Sequence, residues 1–181
     1  MKRRIISSES ELGPLMQQIA LSASSAVESI VAVCAAVSPI DALRQIKFEP
    51  VGFDPLSSTS LNLIEQVNQT FTYLATLEAL RYLFHRHATS APFTINLGTE
   101  GGPDIFSADG KVIAEVFAAV APNNNEKLKK DACKISSAQA PHRYVFFACP
   151  REAQGERPEL KASPGVKIIS LGLAFVAEPD S

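Results

Sequence analysis

Asp104 and Glu115 are the residues of this chain whose types and spacing most suggest chemistry. They stand in GTEGGPDIFSADGKVIAEVF, residues 98–117, one on each side of an Asp109-Gly110 dipeptide. Asp-Gly between two short apolar runs is the strongest short-range hairpin signal. A two-residue loop there pairs Ala108 with Lys111, Phe106 with Ile113 and Asp104 with Glu115. The two carboxylates then share one face at about 5 Å and repel each other. A divalent cation between them removes that penalty. Mg²⁺ suits the pair, being a hard ion that takes one or two protein carboxylates together with waters and phosphate. On the other side, Asp104 reads as a turn cap after Pro103 and Glu115 as an acid on a solvated face. A loop one residue longer slips the register and parts the acids. Hairpin geometry alone leaves both readings open.

The elements that must position such a pair follow from periodicity. Residues 60–87 predict a long helix, with Ile64, Val67, Phe71, Leu74 and Leu77 as its apolar stripe, extended by Leu80 and Phe84. The period then changes. APFTINLG, PDIFS and KVIAEVFAAV read as three strands. NEKLKKDACKISSA reads as an amphipathic helix, with Leu128, Ala132 and Ile135 on one side and Lys127, Lys130, Asp131 and Lys134 toward the other. RYVFFAC and VKIISLGLAFV are further strands. The first three strands form an antiparallel meander, and the helix at 124–138 crosses over to bring in the next. The expected class is α/β, a mixed sheet flanked by helices. Ahead of it, 8–36 reads as a helix opened by a Ser8/Glu11 capping box, with Val27, Ile30, Val31 and Cys34 at helical spacing. KFEPVGFDPLSSTS reads as a loop, which divides the chain into an N-terminal helical extension, 1–58, and a core, 59–181.

Composition bounds the partners. The chain has 181 residues, 46% of them apolar, enough for a sizeable core, and a net charge of −2. No global charge signature for nucleic acid exists, so any basic surface is local. The cysteines, Cys34, Cys133 and Cys149, are odd in number and lack metal-ligand spacing. They fit a reduced, cytoplasmic protein in which each packs as a small buried hydrophobe. Lys2-Arg3-Arg4 is followed by SSESE and no apolar run, against a signal peptide. Residues 19–37, apolar but interrupted by serines and an acid, read as a packed helix and not a membrane span. No phosphate-binding glycine loop, serine nucleophile elbow or zinc pattern occurs.

GGPDI, then an acid eleven residues after Asp104 inside the run AEVFA, then a helix and a strand, resembles the PD-(D/E)XK nuclease superfamily. The helix–strand–strand–strand–helix–strand order of residues 60–149 is similar to its restriction-endonuclease-like core. The resemblance covers about half the chain. It implies a Mg²⁺-dependent endonuclease acting on DNA, with Mn²⁺ as a substitute ion and Asp104 and Glu115 as metal ligands. The family's lysine, two residues after the second acid, orients or deprotonates the attacking water; here that position is Phe117. Some members take the lysine from a neighbouring element. The helix after the third strand offers Lys127, Lys130 and Lys134, of which Lys127, in the first turn, is the first candidate. Lys111 at the hairpin turn is a weaker one. Glu78, on the helix before the strands, is the candidate third metal ligand, and Glu100 a further acid. Asn123 to Asn125, the basic residues Arg81, His85, Arg86 and His87, and His142 with Arg143 are candidate contacts to DNA phosphate. The implied partners are DNA and a second copy of the chain, without a membrane. The alternative keeps the fold and reads Phe117 as lost catalysis, leaving a nucleic-acid-binding or protein-interaction module.

Overall fold

A computed structural model describes residues 3–97, 101–122, 126–150, 152–160 and 163–172. The chain is mixed α/β. A seven-stranded sheet has the order β1-β4-β5-β6-β7-β9-β8, with β1 at Arg3–Ile6, β4 at Phe93–Asn96, β5 at Ile105–Ser107, β6 at Val112–Ala118, β7 at His142–Ala148, β8 at Gly155–Glu156 and β9 at Val166–Leu171. The helices are α1 (Leu12–Ala36), α2 (Pro39–Phe48), α3 (Leu63–Arg86) and α4 (Lys127–Ser136), and a small hairpin joins β2 (Gly52–Phe53) to β3 (Ser60–Leu61).

The expected meander is present. β4 pairs with β5 and β5 with β6, both antiparallel. α4 then carries the chain to β7, which lies parallel to β6, and β9 lies parallel to β7. The predicted register holds, with Phe106 opposite Ile113. The loop is longer than two residues, since the strands stop at Ser107 and resume at Val112. The Gly110 N–H donates to the Ser107 carbonyl, and Gly110 takes φ +70°. The Ser107 hydroxyl donates to Asp109 and accepts from the Val112 N–H. This side-chain clip holds the even-numbered register that a shorter turn predicts, so the acids stay on one face.

β6 is the middle strand of the sheet and its residues 114–117 are all buried. Alternation sends them to two faces. On one face Phe117, Val145, Phe147 and Ile168 pack with Leu128, Ala132 and Ile135 of α4. On the other, Tyr82 of α3 meets Tyr144 and Phe146 edge-on.

The chain divides into two compact units, residues 1–9 with 75–181, and Ser10–Leu74. The second unit takes in the β2–β3 hairpin and the first half of α3. Ala26, Ile46 and Leu63 pack together there, and polar contacts add to them. The buried Gln66 side chain donates to Ser22 on α1 and accepts from the Phe53 N–H. The Tyr73 hydroxyl donates to buried Asp54 at 2.8 Å.

Several expectations change. The strand β1 was not foreseen; it pairs with β4 at the sheet edge. α1 begins at Leu12 after a 3-10 turn at Glu9–Glu11. It buries Leu12, Leu15, Ile19, Ser22 and Ala26, while Val27 and Val31, the apolar residues noted at helical spacing, are exposed. In α3, Ile64 and Phe71 are exposed, because Gln66, Thr70 and Tyr73 hold the buried face. Cys149 is buried, but Cys34 and Cys133 are exposed. By length and composition Glu9–Ala36 is one helix apolar enough to cross a membrane, and 17% of its apolar window is buried. That differs from the reading of 19–37 as too polar for a span, because four serines and one acid leave that stretch strongly apolar on average.

Candidate metal and phosphoryl-transfer site

Asp104 immediately precedes β5, and Glu115 sits in the middle of β6. Asp104 is fixed by two backbone bonds. Its carbonyl accepts from the Asn96 N–H at 2.8 Å. Its carboxylate Oδ2 accepts from the Val116 N–H at 2.8 Å, so it reaches the residue beside Glu115. Glu115 is 1% exposed, on a strand otherwise made of Val, Ile, Ala and Phe. A carboxylate so buried requires a partner. Lys134, on α4, supplies one: its Nζ donates to Glu115 Oε2 at 2.8 Å. The other oxygen, Oε1, is buried without a protein partner.

The electrostatics reflect this crowding. Burial, and then the charge of Asp104, push Glu115 up to about 7 against the opposing pull of Lys134. Burial likewise raises Asp104, with the Val116 bond and Lys134 working the other way. Burial would lower the Lys134 ammonium, but the Glu115 bond and the surrounding carboxylates outweigh it and raise its pKa. A lysine clamped in this way stays charged.

Phe117 and Lys134 explain each other. Position 117 shares the face of Glu115, and that face lies under α4. Phe117 is 4% exposed and stacks on Phe147 with ring centroids 5.9 Å apart. A lysine there would place its ammonium among Leu128, Ala132 and Ile135. The cation reaches Glu115 from α4 instead.

The remaining sequence candidates fall as follows. Lys127 donates to Asp131 Oδ1 at 2.8 Å, one turn along its own helix. Lys130 is exposed. Lys111 stays at the turn, with Nζ 3.2 Å from Asp109. Both oxygens of Glu78 accept from Arg81 Nη1, and the structure does not bring Glu78 to the pair. His85 lies 3.5 Å from Glu9. His87 Nε2 is 2.7 Å from the Tyr144 hydroxyl, and its ring is 4.4 Å from that of His142. Arg143 donates to the carbonyls of Ser136 and Ala138. Glu100 and Asn123 to Asn125 lie outside the described residues.

Asp131 is the residue that sequence reasoning placed on the wrong side of its helix. It is 4% exposed. The signal was present: 128, 131 and 135 follow the i, i+3, i+7 spacing of a buried stripe.

Among the described residues no three His, Cys, Asp or Glu side chains form a ready metal cage. The group able to take a metal is the two-carboxylate pair, whose free buried Glu115 oxygen and hard donors suit a Mg²⁺ that keeps most of its waters. A cavity of about 410 Å³ beside β9, bounded by Arg157, Leu160, Pro164 and Ile168, shares no residue with the pair. Comparison of the chain with protein-family models, curated proteins and solved structures finds no match in any of the three.

Proposed function

We propose that the chain is a divalent-cation-dependent phosphodiesterase of the PD-(D/E)XK type acting on DNA, with Asp104 and Glu115 as metal ligands and Lys134 in place of the motif lysine. The observation that carries this reading is the 2.8 Å contact of Lys134 Nζ with Glu115, beside an Asp104 anchored on Val116. The succession α3, β4, β5, β6, α4, β7 supports it too, since it follows the order of that superfamily's core.

A bound Mg²⁺ or Mn²⁺ supplies Lewis-acid stabilisation of phosphate charge and lowers the pKa of a coordinated water. The protein's own share is positional. Asp104 and Glu115 would hold the ion, with Val116 and Lys134 each fixing one oxygen of the pair. Two carboxylates and one ammonium leave the trio at net −1, and a divalent ion turns it positive, as a phosphodiester requires. Lys134 keeps two further N–H donors for a water or a phosphate oxygen.

The test is cleavage of plasmid and mixed oligonucleotides with Mg²⁺ or Mn²⁺. Asp104→Asn, Glu115→Gln and Lys134→Ala should each lower the rate about 100-fold or more, as loss of one preorganised charge does elsewhere. Cleavage that survives both carboxylate substitutions refutes the assignment. Buried Phe117 favours a second reading, a nuclease-fold binding module. DNA binding with no cleavage under any metal would select it.

A further inference from the structure

We propose that Asp131 is a positioning residue of the cation site: its carboxylate holds a water of the bound ion, and Lys127 competes with the ion for it. The inference rests on the metal reading above and adds a third acid to it.

Asp131 has three properties that a solvated helix acid lacks. It is 4% exposed. Its Oδ1 takes the Lys127 ammonium at 2.8 Å, while Oδ2 is buried without a protein partner. It lies three residues before Lys134, on the α4 face that reaches Glu115, and its charge bears on Glu115, Asp104 and Lys134 alike. A buried carboxylate oxygen without a donor is costly. Two such oxygens, Asp131 Oδ2 and Glu115 Oε1, occur in one charge-coupled group.

Charge makes the same point. With all three acids ionised, Asp104, Glu115 and Asp131 carry −3 against +2 from Lys127 and Lys134, which leaves the group one positive charge short. Asp131 does not join the other two in a direct three-ligand cage. Mg²⁺ and Mn²⁺ bound by few carboxylates retain waters, and those waters are donors. An acid one layer out therefore meets its unsatisfied oxygen through a water and lends its charge to the ion. Lys127, with a side chain 48% exposed, is the nearest rival for that charge.

Titration of the purified chain with Mn²⁺ alone, followed by calorimetry or by the paramagnetic resonance of the free ion, tests this. Asp131→Asn should weaken Mn²⁺ binding about tenfold or more, the usual cost of an outer-shell partner, and Asp131→Glu should restore part of it. Lys127→Ala removes the rival cation without disturbing the core and should tighten binding. Wild-type affinity in Asp131→Asn, with binding still lost in Asp104→Asn and Glu115→Gln, overturns the role of Asp131 and leaves the metal reading standing. Weaker binding in Lys127→Ala overturns the competition. No Mn²⁺ uptake by the wild-type chain removes both the metal reading and this inference.

Discussion

Glu115 sets the chemistry of the site through one fact, its burial on a central strand. With a folded pKa near 7 against 4.5 for the free side chain, it binds a proton more tightly folded than unfolded. Its contribution to stability is therefore full below about pH 4.5 and is lost as pH rises through 7. In the presence of a chelator the melting temperature should fall between pH 5 and pH 8. The Glu115 share of that loss is on the order of 2–3 kcal/mol, or roughly 2–4 °C for each kcal/mol. Glu115→Gln should flatten the profile, and a wild-type profile that rises with pH over this range would contradict the burial argument. The register that carries Asp104 toward Glu115, with Phe106 opposite Ile113, was legible from the Asp-Gly turn, because hairpin register follows from residue numbers. The partnership of Lys134 was not singled out, because proximity along the chain favoured Lys127, whereas a helix turns Lys127 onto Asp131 instead.

At the scale of elements, periodicity located α1, α3, α4 and the central strands and placed Leu128, Ala132 and Ile135 of α4 on the buried side, but misjudged the face of α1 and the start of α3. α1 shows why. Its sequence from Leu12 to Ala36 holds one charged residue, Glu28, so apolar residues mark no single side. The buried side is chosen by what it packs against, including the polar Gln66–Ser22 bond, which hydropathy does not register. Ile19→Ala should accordingly cost about 2–5 kcal/mol, the range for a fully buried aliphatic. Val31→Ala should stay within about 0.5 kcal/mol. Chemical denaturation of the two variants decides between the observed face and the one read from spacing. β1 escaped notice because RRII is short and half charged; its pairing with β4, and not its own propensity, makes it a strand.

For the whole molecule, the dominant feature is that one sheet gathers both early and late parts of the chain. The unit containing it begins with β1, is interrupted by Ser10–Leu74, and resumes at Ala75. β1 covers the edge of β4, its Arg3 opposite Asn96 and its Ile6, 1% exposed, opposite Phe93. Removing residues 1–7 uncovers a row of backbone donors and acceptors on β4, the template for edge-to-edge association. The truncated chain should show concentration-dependent light scattering at temperatures where the full chain stays monodisperse. Equal scattering by both would mean that β1 guards nothing.

The same pairing has a consequence in time. A ribosome releases Ile5 long before Thr94, the residue opposite it. β1 must wait, unpaired, through the synthesis of α1, α2 and α3, while β4, β5 and β6 can form their meander from neighbouring residues as soon as they emerge. Contacts between distant parts of a chain close slowly. Of the seven strands β1 is made first, yet it can take its place only once β4 has followed some ninety residues later.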